Sequence, residues 1–219
     1  MRRYLVVVLA CFAMTFGNAQ NKIKFGINAG LTYSSFRGNP MVEDFNAGFS
    51  YLTGVSLEYF LKDNLSLKGN LNYERKTAAK TFYLTSVYMD PSDPAFSTNR
   101  SFKQKLNYDY LVLPLLVNYY VNGKKDLYIS GGCFTGYLLK STIASKGYRD
   151  EDTTDLDTKI DMGLVFGLGK KFKLNDKNEI GVELRENLGL VNTSDVEVYR
   201  NGSIKTNAVN LIATWNFDI

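Results

Sequence analysis

The chain has 219 residues, a length for one domain or one β-barrel, and its 26 basic against 22 acidic residues (net +4) are no basis for a nucleic-acid partner. It has no histidine, which removes Ser-His-acid and Cys-His catalysis and leaves zinc without an imidazole ligand. Of its two cysteines only Cys133 lies beyond the N-terminal leader, so no intramolecular disulfide is expected.

The leader is MRRYLVVVLACFAMTFGNAQ. Arg2 and Arg3 form a positive n-region, Tyr4 to Phe16 an apolar h-region, and Gly17-Asn18-Ala19 a small-x-small site before Gln20. This reads as a secretory signal peptide over residues 1–19, too short to serve as a membrane anchor. Its removal takes the 26 basic residues to 24, against 22 acidic, for a net charge of +2. Val8-Leu9-Ala10-Cys11 resembles a lipidation box, but the apolar run before Cys11 is short and continues past it, so lipidation is rejected. Residues 20–219 form one domain and contain no apolar run of about 18 residues, hence no transmembrane helix.

Eight segments of this domain alternate with period two, the mark of strands. In KIKFGINAGLTYSS, Ile23, Phe25, Ile27, Ala29, Leu31 and Tyr33 face one way; Lys24, Asn28, Thr32 and Ser34 face the other. FSYLTGVSLEYFL (49–61) sets Tyr51, Val55, Leu57 and Tyr59 against Ser56 and Glu58. LSLKGNLNYE (65–74) sets Leu65, Leu67, Leu71 and Tyr73 against Lys68, Asn70, Asn72 and Glu74.

The fourth segment, YLVLPLLVNYYV (110–121), is the most apolar of all. Pro114 would break a helix, and the stretch is too short to span a bilayer as one. As a strand it points Leu111, Leu113, Leu115, Val117 and Tyr119 outward and Val112, Pro114 and Leu116 inward. Pro114 cannot donate to its neighbour, so a missing ladder bond or a bulge is expected there. LYISGGCFTGYLLK (127–140), IDMGLVFGLGKKF (160–172), EIGVELRENLGL (179–190) and AVNLIATWNFDI (208–219) complete the set.

Short polar turns at 61–64, 122–125 and 174–178 alternate with long links near 35–48, 75–105, 141–158 and 191–205. Each strand has the about 9–11 residues that a tilted strand needs to cross a bilayer. The expected fold is therefore all-β: an eight-stranded antiparallel up-and-down transmembrane barrel of the outer-membrane type, with both termini periplasmic. A soluble eight-stranded barrel is the rival. Two features weigh against it. Tyr and Phe gather near the ends of the apolar face (Phe25, Tyr33, Tyr51, Tyr59, Tyr73, Phe172, Phe217), as interfacial girdles require. The opposite face carries Gly, Asn and Ser with about one charge per strand, which suits a narrow polar interior.

On these same segments the chain resembles the PorT-like outer membrane β-barrel domain proteins of Bacteroidota. The resemblance rests on the leader ending in Ala19-Gln20, then KFGINAGL, GVSLEYFL, the Leu-Pro core of YLVLPLLVNYYV, GGCFTGYLL, IDMGLVFGLGKKF and the closing strand. It covers nearly the whole mature chain. Two positions depart from it: Val112 stands where an acidic residue is common, and the chain ends in Ile219 where many barrels have an aromatic. The resemblance implies an outer-membrane barrel, folded by the barrel assembly machinery, among outer-membrane lipid and lipopolysaccharide. For its role it implies an accessory to protein secretion.

The inward parity assigns a lumen charge network of Glu58, Lys68, Glu74, Asp161, Glu183 and Arg185. Counting back from the 62–64 turn pairs Glu58 with Lys68 across their strands, and an internal salt bridge is expected. Such a network either plugs a barrel too narrow to conduct or lines an ion path. No cofactor or metal is expected. The acidic run KGYRDEDTTDLD (Asp150, Glu151, Asp152, Asp155, Asp157) lacks the glycine and terminal glutamate of an EF-hand loop and reads as a solvated tip. Arg75, Lys76, Lys80, Arg100, Lys103 and Lys105 read as a polar collar, or as contacts to lipopolysaccharide phosphates.

In the second long link, TFYLTSVYMDPSDPAFSTNRSF, β-rich arms flank a Pro91–Pro94 tip. Strands three and four are expected to continue above the bilayer as a hairpin, with Phe82, Tyr83, Val87 and Tyr88 as a protein-contact surface. The leading expectation is a non-enzymatic structural or interaction protein. A narrow solute or ion channel is the alternative.

Overall fold

The computed structural model describes residues 23–84, 100–145, 147–197 and 202–218; the leader, Val87, Tyr88, the Pro91–Pro94 tip and Ile219 lie outside them. Nine strands form one sheet: β1 (Ile23–Arg37), β2 (Asn46–Lys62), β3 (Leu65–Leu84), β4 (Arg100–Tyr120), β5 (Leu127–Ser145), β6 (Glu151–Asp152), β7 (Ile160–Lys173), β8 (Asn178–Gly189) and β9 (Lys205–Asp218). Their order is β4-β3-β2-β1-β9-β8-β7-β5-β6, and β4 also pairs with β5. The count departs from the expected eight through β6, a two-residue strand laid on Thr142 and Ile143 of β5 within the third long link. A four-residue helix, α1 (Pro40–Glu43), sits in the first link. The Asn39 side chain caps it, accepting from the Met41 N–H at 2.9 Å.

The faces segregate as the alternation requires. On β1, Ile27, Leu31 and Tyr33 are exposed while Asn28, Thr32 and Ser34 are buried. On β4, Leu111, Leu113, Leu115, Val117 and Tyr119 point out, and Tyr110, Val112, Leu116, Asn118 and Tyr120 are buried. The same holds on β7, where Met162, Leu164, Phe166 and Leu168 are exposed and Asp161, Val165 and Lys171 are buried. A protein with a continuous apolar exterior and a polar core is inside out for water. Aromatic pairs mark the two ends of this exterior. Tyr33 and Phe49 (centroids 4.7 Å apart) stand near the long links, and Trp215 and Phe217 (5.6 Å) near the short turns.

Lys24 lies opposite Asp218 in the β1–β9 ladder, so the described ends of the chain meet at the end of the sheet that carries the three short turns. At the other end the strands outrun their sequence pattern. β3 runs on to Leu84 and β4 begins at Arg100, paired to one another throughout this extension. That is the hairpin expected from the β-rich arms.

Pro114 leaves its mark in the ladder. Pairing between β3 and β4 lapses between Gly69↔Leu115 and Asn72↔Val112 and resumes with no change of register, so bonds are lost without a bulge. On its other side Pro114 stays paired with Phe134. Inside, β7 supplies room through glycine. A Cβ on Gly163 would meet Phe134 Cε1 at 2.7 Å, and one on Gly169 would enter the Tyr128 ring. Larger residues there would push both aromatics out of the lumen.

Cys133 is free and exposed on the outward parity of β5. Refolded into vesicles, it is expected to react with an apolar maleimide and not with a charged, membrane-impermeant one; equal labelling by both would place it in water.

Candidate functional site

The polar interior is built from the inward rows of the long strands. Four buried cations, Lys68, Lys76, Lys171 and Arg185, face the buried carboxylates Glu58, Glu74, Asp161 and Glu183, and a fifth carboxylate, Asp157, is buried nearer the long links. They sit in layers. Nearest the short turns, the Glu58 carboxylate accepts from Lys171 Nζ (2.5 Å), Ser66 Oγ (2.5 Å), Tyr120 Oη (2.6 Å) and Asn118 Nδ2 (3.0 Å). The Lys171 ammonium is ringed by Phe60, Tyr120 and Tyr128, at 5.2, 5.1 and 5.8 Å from their centroids. In the next layer Glu183 accepts from Arg185 Nε (2.7 Å), Tyr128 Oη (2.9 Å) and Lys68 Nζ (3.2 Å). Further up, Asp161 accepts from Thr206 Oγ1 (2.6 Å) and Lys76 Nζ (2.8 Å). Glu74 accepts from Asn187 Nδ2 at 3.1 Å and has no ion pair among the described residues.

All six lumen residues read from the sequence are brought into this interior, with one correction to their pairing. Glu58 and Lys68 stand opposite in register, yet they do not bond to each other. Glu58 is engaged by Lys171 from β7, and Lys68 reaches to Glu183 on β8. Inward side chains of a strongly curved sheet converge, so a long lysine can choose a partner across the interior over its ladder neighbour. Lys76 is a second correction: it is no part of the collar but lies 1% exposed between the Tyr110 and Phe134 rings. Lys76 and Lys171 were legible by parity, since one follows Glu74 by two residues and the other shares the face of Asp161.

Both ends of the lumen differ from its middle. At the short-turn end an open pocket of about 730 Å³, lined by Lys24, Phe60, Lys171, Glu179 and Asp218 among others, has the Lys171 layer as its floor. At the other end the fill is apolar. Val42 of α1 packs in one buried cluster with Phe36, Tyr108, Tyr110, Val112, Phe134, Leu138 and Val165. Sequence reading missed this cap, because α1 is too short to show a period.

The acidic link does not gather into a cation site: among the described residues no group of three or more metal-ligating side chains converges. Asp157 instead turns inward and accepts from Ser141 Oγ (2.5 Å) and Tyr108 Oη (3.2 Å), so it is no part of a solvated tip. Burial holds its carboxyl above the usual range. Asp152 caps Thr154.

On the hairpin, Phe82 is half-buried, stacked on Phe102 at 5.2 Å and edge-on to Phe45 at 6.3 Å. Lys80 Nζ lies 5.1 Å from the Phe82 centroid and 2.9 Å from Asp44. Tyr83, on the other face, is 77% exposed. Phe82 and Tyr83 therefore point opposite ways, and the surface expected from the four aromatic and aliphatic positions is carried, among the described residues, by Tyr83. Lower on the same outward row of β3, eight residues before Tyr83, Arg75 makes a bidentate pair with Asp109 (2.5 and 2.8 Å).

The family model described as "Outer membrane protein beta-barrel domain" matches residues 18–195. The chain belongs to this family. An outer-membrane β-barrel domain accounts for the apolar exterior, the two aromatic girdles and the polar lumen together. No curated protein matches the chain. Among solved structures, Neisserial surface protein A (NspA) aligns with a TM-score of 0.49 at 12% identity, covering 89% of this chain and 97% of that one. The outer membrane protein W of E. coli aligns at 0.48 and 10%, covering 92% and 100%. Ail, the attachment invasion locus protein of Yersinia pestis, aligns at 0.42 and 14%, covering 90% and 99%.

Proposed function

We propose that this outer-membrane barrel domain is a non-conducting, non-enzymatic platform whose β3–β4 hairpin docks a protein partner outside the membrane. In this reading the eight long strands close through the β4–β5 pairing into an eight-stranded barrel, with β6 an appendage, and the short-turn end, with both termini, faces the periplasm. The PorT-like resemblance makes the partner a component or client of a secretion machine. One observation carries the docking assignment: the hairpin outruns both of its neighbours. β2 pairs with β3 only as far as Ala79, and β5 pairs with β4 only as far as Gln104. The Lys80–Leu84 and Arg100–Lys103 backbones thus present edges beyond the closed wall, with Tyr83 exposed between them.

A narrow channel is the competing reading, and the lumen speaks against it. The ionic layers are paired and hydrogen-bonded across the axis, and the apolar cluster under α1 fills the far end. A photo-crosslinking residue at Tyr83 is expected to trap one discrete protein in cells, while the same residue at outward Thr53 traps none. Planar-bilayer recordings of the purified protein are expected to show no steps. Conductance comparable to that of a porin, or no adduct at Tyr83, would overturn the platform reading.

A further inference from the structure

We infer that the outer wall of the barrel carries a binding groove for the phosphorylated headgroup of an outer-leaflet glycolipid. The groove originates in a register fault. Pairing between β2 and β3 breaks off between Ala47↔Ala78 and Leu52↔Glu74, and the two pairs differ in register by one residue, so a bulge lifts β2 away from its neighbour. The opened β3 backbone is held from beneath by β1: Ser34 Oγ donates to the Thr77 carbonyl at 3.0 Å, and the Thr77 N–H donates back to it at 2.6 Å. Because that bond is made from the inside, the outside of the fault stays open. There it forms a pocket of about 270 Å³.

The lining is ordered by the ladder. Small outward residues of β3, Thr77, Ala79 and Thr81, make the floor. Asn46 to Phe49 of the displaced β2 form one wall. The other is β4, where Lys105 stands opposite Ala79 and Lys103 opposite Thr81. Both lysines are exposed, and neither has an ion pair among the described residues. The neighbouring cations are neutralised, Arg75 by Asp109 and Lys80 by Asp44, so the positive charge of this wall is concentrated on the groove.

The position selects the ligand. Phe49, on the rim, packs against Tyr33 at 4.7 Å in the girdle that marks the membrane interface on the long-link side. A groove that opens at that level, with two free ammonium groups above an aromatic edge, meets phosphates fixed at the interface and acyl chains below them. The occupant is thus a membrane lipid phosphate and not a soluble anion. This inference rests on the membrane-barrel reading, and concerns a different surface from the hairpin edges.

The test uses the full mature chain refolded in phosphatidylcholine nanodiscs, titrated with lipid A bearing its phosphates and read by native mass spectrometry. Binding is expected to weaken about tenfold for lipid A stripped of its phosphates, and by a similar factor for K103Q/K105Q, with recovery in K103R/K105R. Equal binding of the two lipids by the unaltered protein would overturn the groove, whatever the variants do. So would displacement of lipid A by millimolar inorganic phosphate, which would make the site one for a soluble anion. Failure of the chain to insert into lipid, seen as loss of heat-modifiable migration, would instead sink the membrane-barrel reading beneath it.

Discussion

Glu183→Leu is expected to destabilise the folded barrel by about 3–5 kcal/mol, because it leaves buried cations without their carboxylate. Glu183 is 1% exposed and serves three donors: Arg185 Nε, Lys68 Nζ and Tyr128 Oη. Arg185 comes from Glu183's own strand and Lys68 from β3 across the lumen, so the loss strands charge on both walls. Glu58 is committed to Lys171, and Glu74, held by Asn187 Nδ2 at 3.1 Å, forms no ion pair with either stranded cation. The substitution also frees Tyr128, whose ring packs against Gly169 and whose hydroxyl is held by Glu183 alone among side-chain acceptors described here. Urea unfolding in detergent micelles, followed by the fluorescence of the single Trp215, measures the effect. Glu183→Gln, which keeps an acceptor and loses the charge, is expected to fall between the two. A change below about 1 kcal/mol for Glu183→Leu would mean that water already screens the layer.

The architecture was written plainly in the sequence because a barrel in lipid makes a simple demand on every strand. The outward row must be apolar and the inward row must fit a narrow polar core. Residues such as Leu113 and Leu115, or Asn70 and Asn72, announce their faces by parity alone. What parity cannot encode is reach. Glu58 and Lys68 sit opposite one another, and only the curvature of the sheet sends each to a different partner. The cap escaped for a different reason: Phe36 and Val42 belong to a link whose path depends on a four-residue helix held by the Asn39 side chain. The register shift between β2 and β3 beside Lys103 and Lys105 was equally silent, although the two lysines themselves were legible as candidate phosphate contacts.

The division of the lumen into an ionic and an apolar part carries its own consequence at Asp161, where the two meet. Lys76 Nζ lies 5.1 and 5.0 Å from the Tyr110 and Phe134 centroids, both rings belonging to the apolar cluster, and its one carboxylate partner among the described residues is Asp161 at 2.8 Å. Asp161→Leu alone is therefore expected to cost about 3–5 kcal/mol, since the ammonium is left buried between rings with the Thr206 hydroxyl as its remaining acceptor. Adding Lys76→Met removes the stranded charge and leaves an unbranched chain of similar length among aromatic rings, which thioether carbon and sulfur suit well. The double variant is expected to lie within about 1 kcal/mol of the parent, as replacements of buried ion pairs by apolar groups often do. Lys76→Met alone should be intermediate, because it leaves Asp161 with the Thr206 Oγ1 bond at 2.6 Å and no cation. The cycle of single and double variants, measured by the same urea unfolding, isolates the coupling between the two side chains. A double variant as unstable as Asp161→Leu would show that Asp161 supports the wall through Thr206 more than through Lys76, and would move the ionic boundary of the lumen one layer toward the short turns.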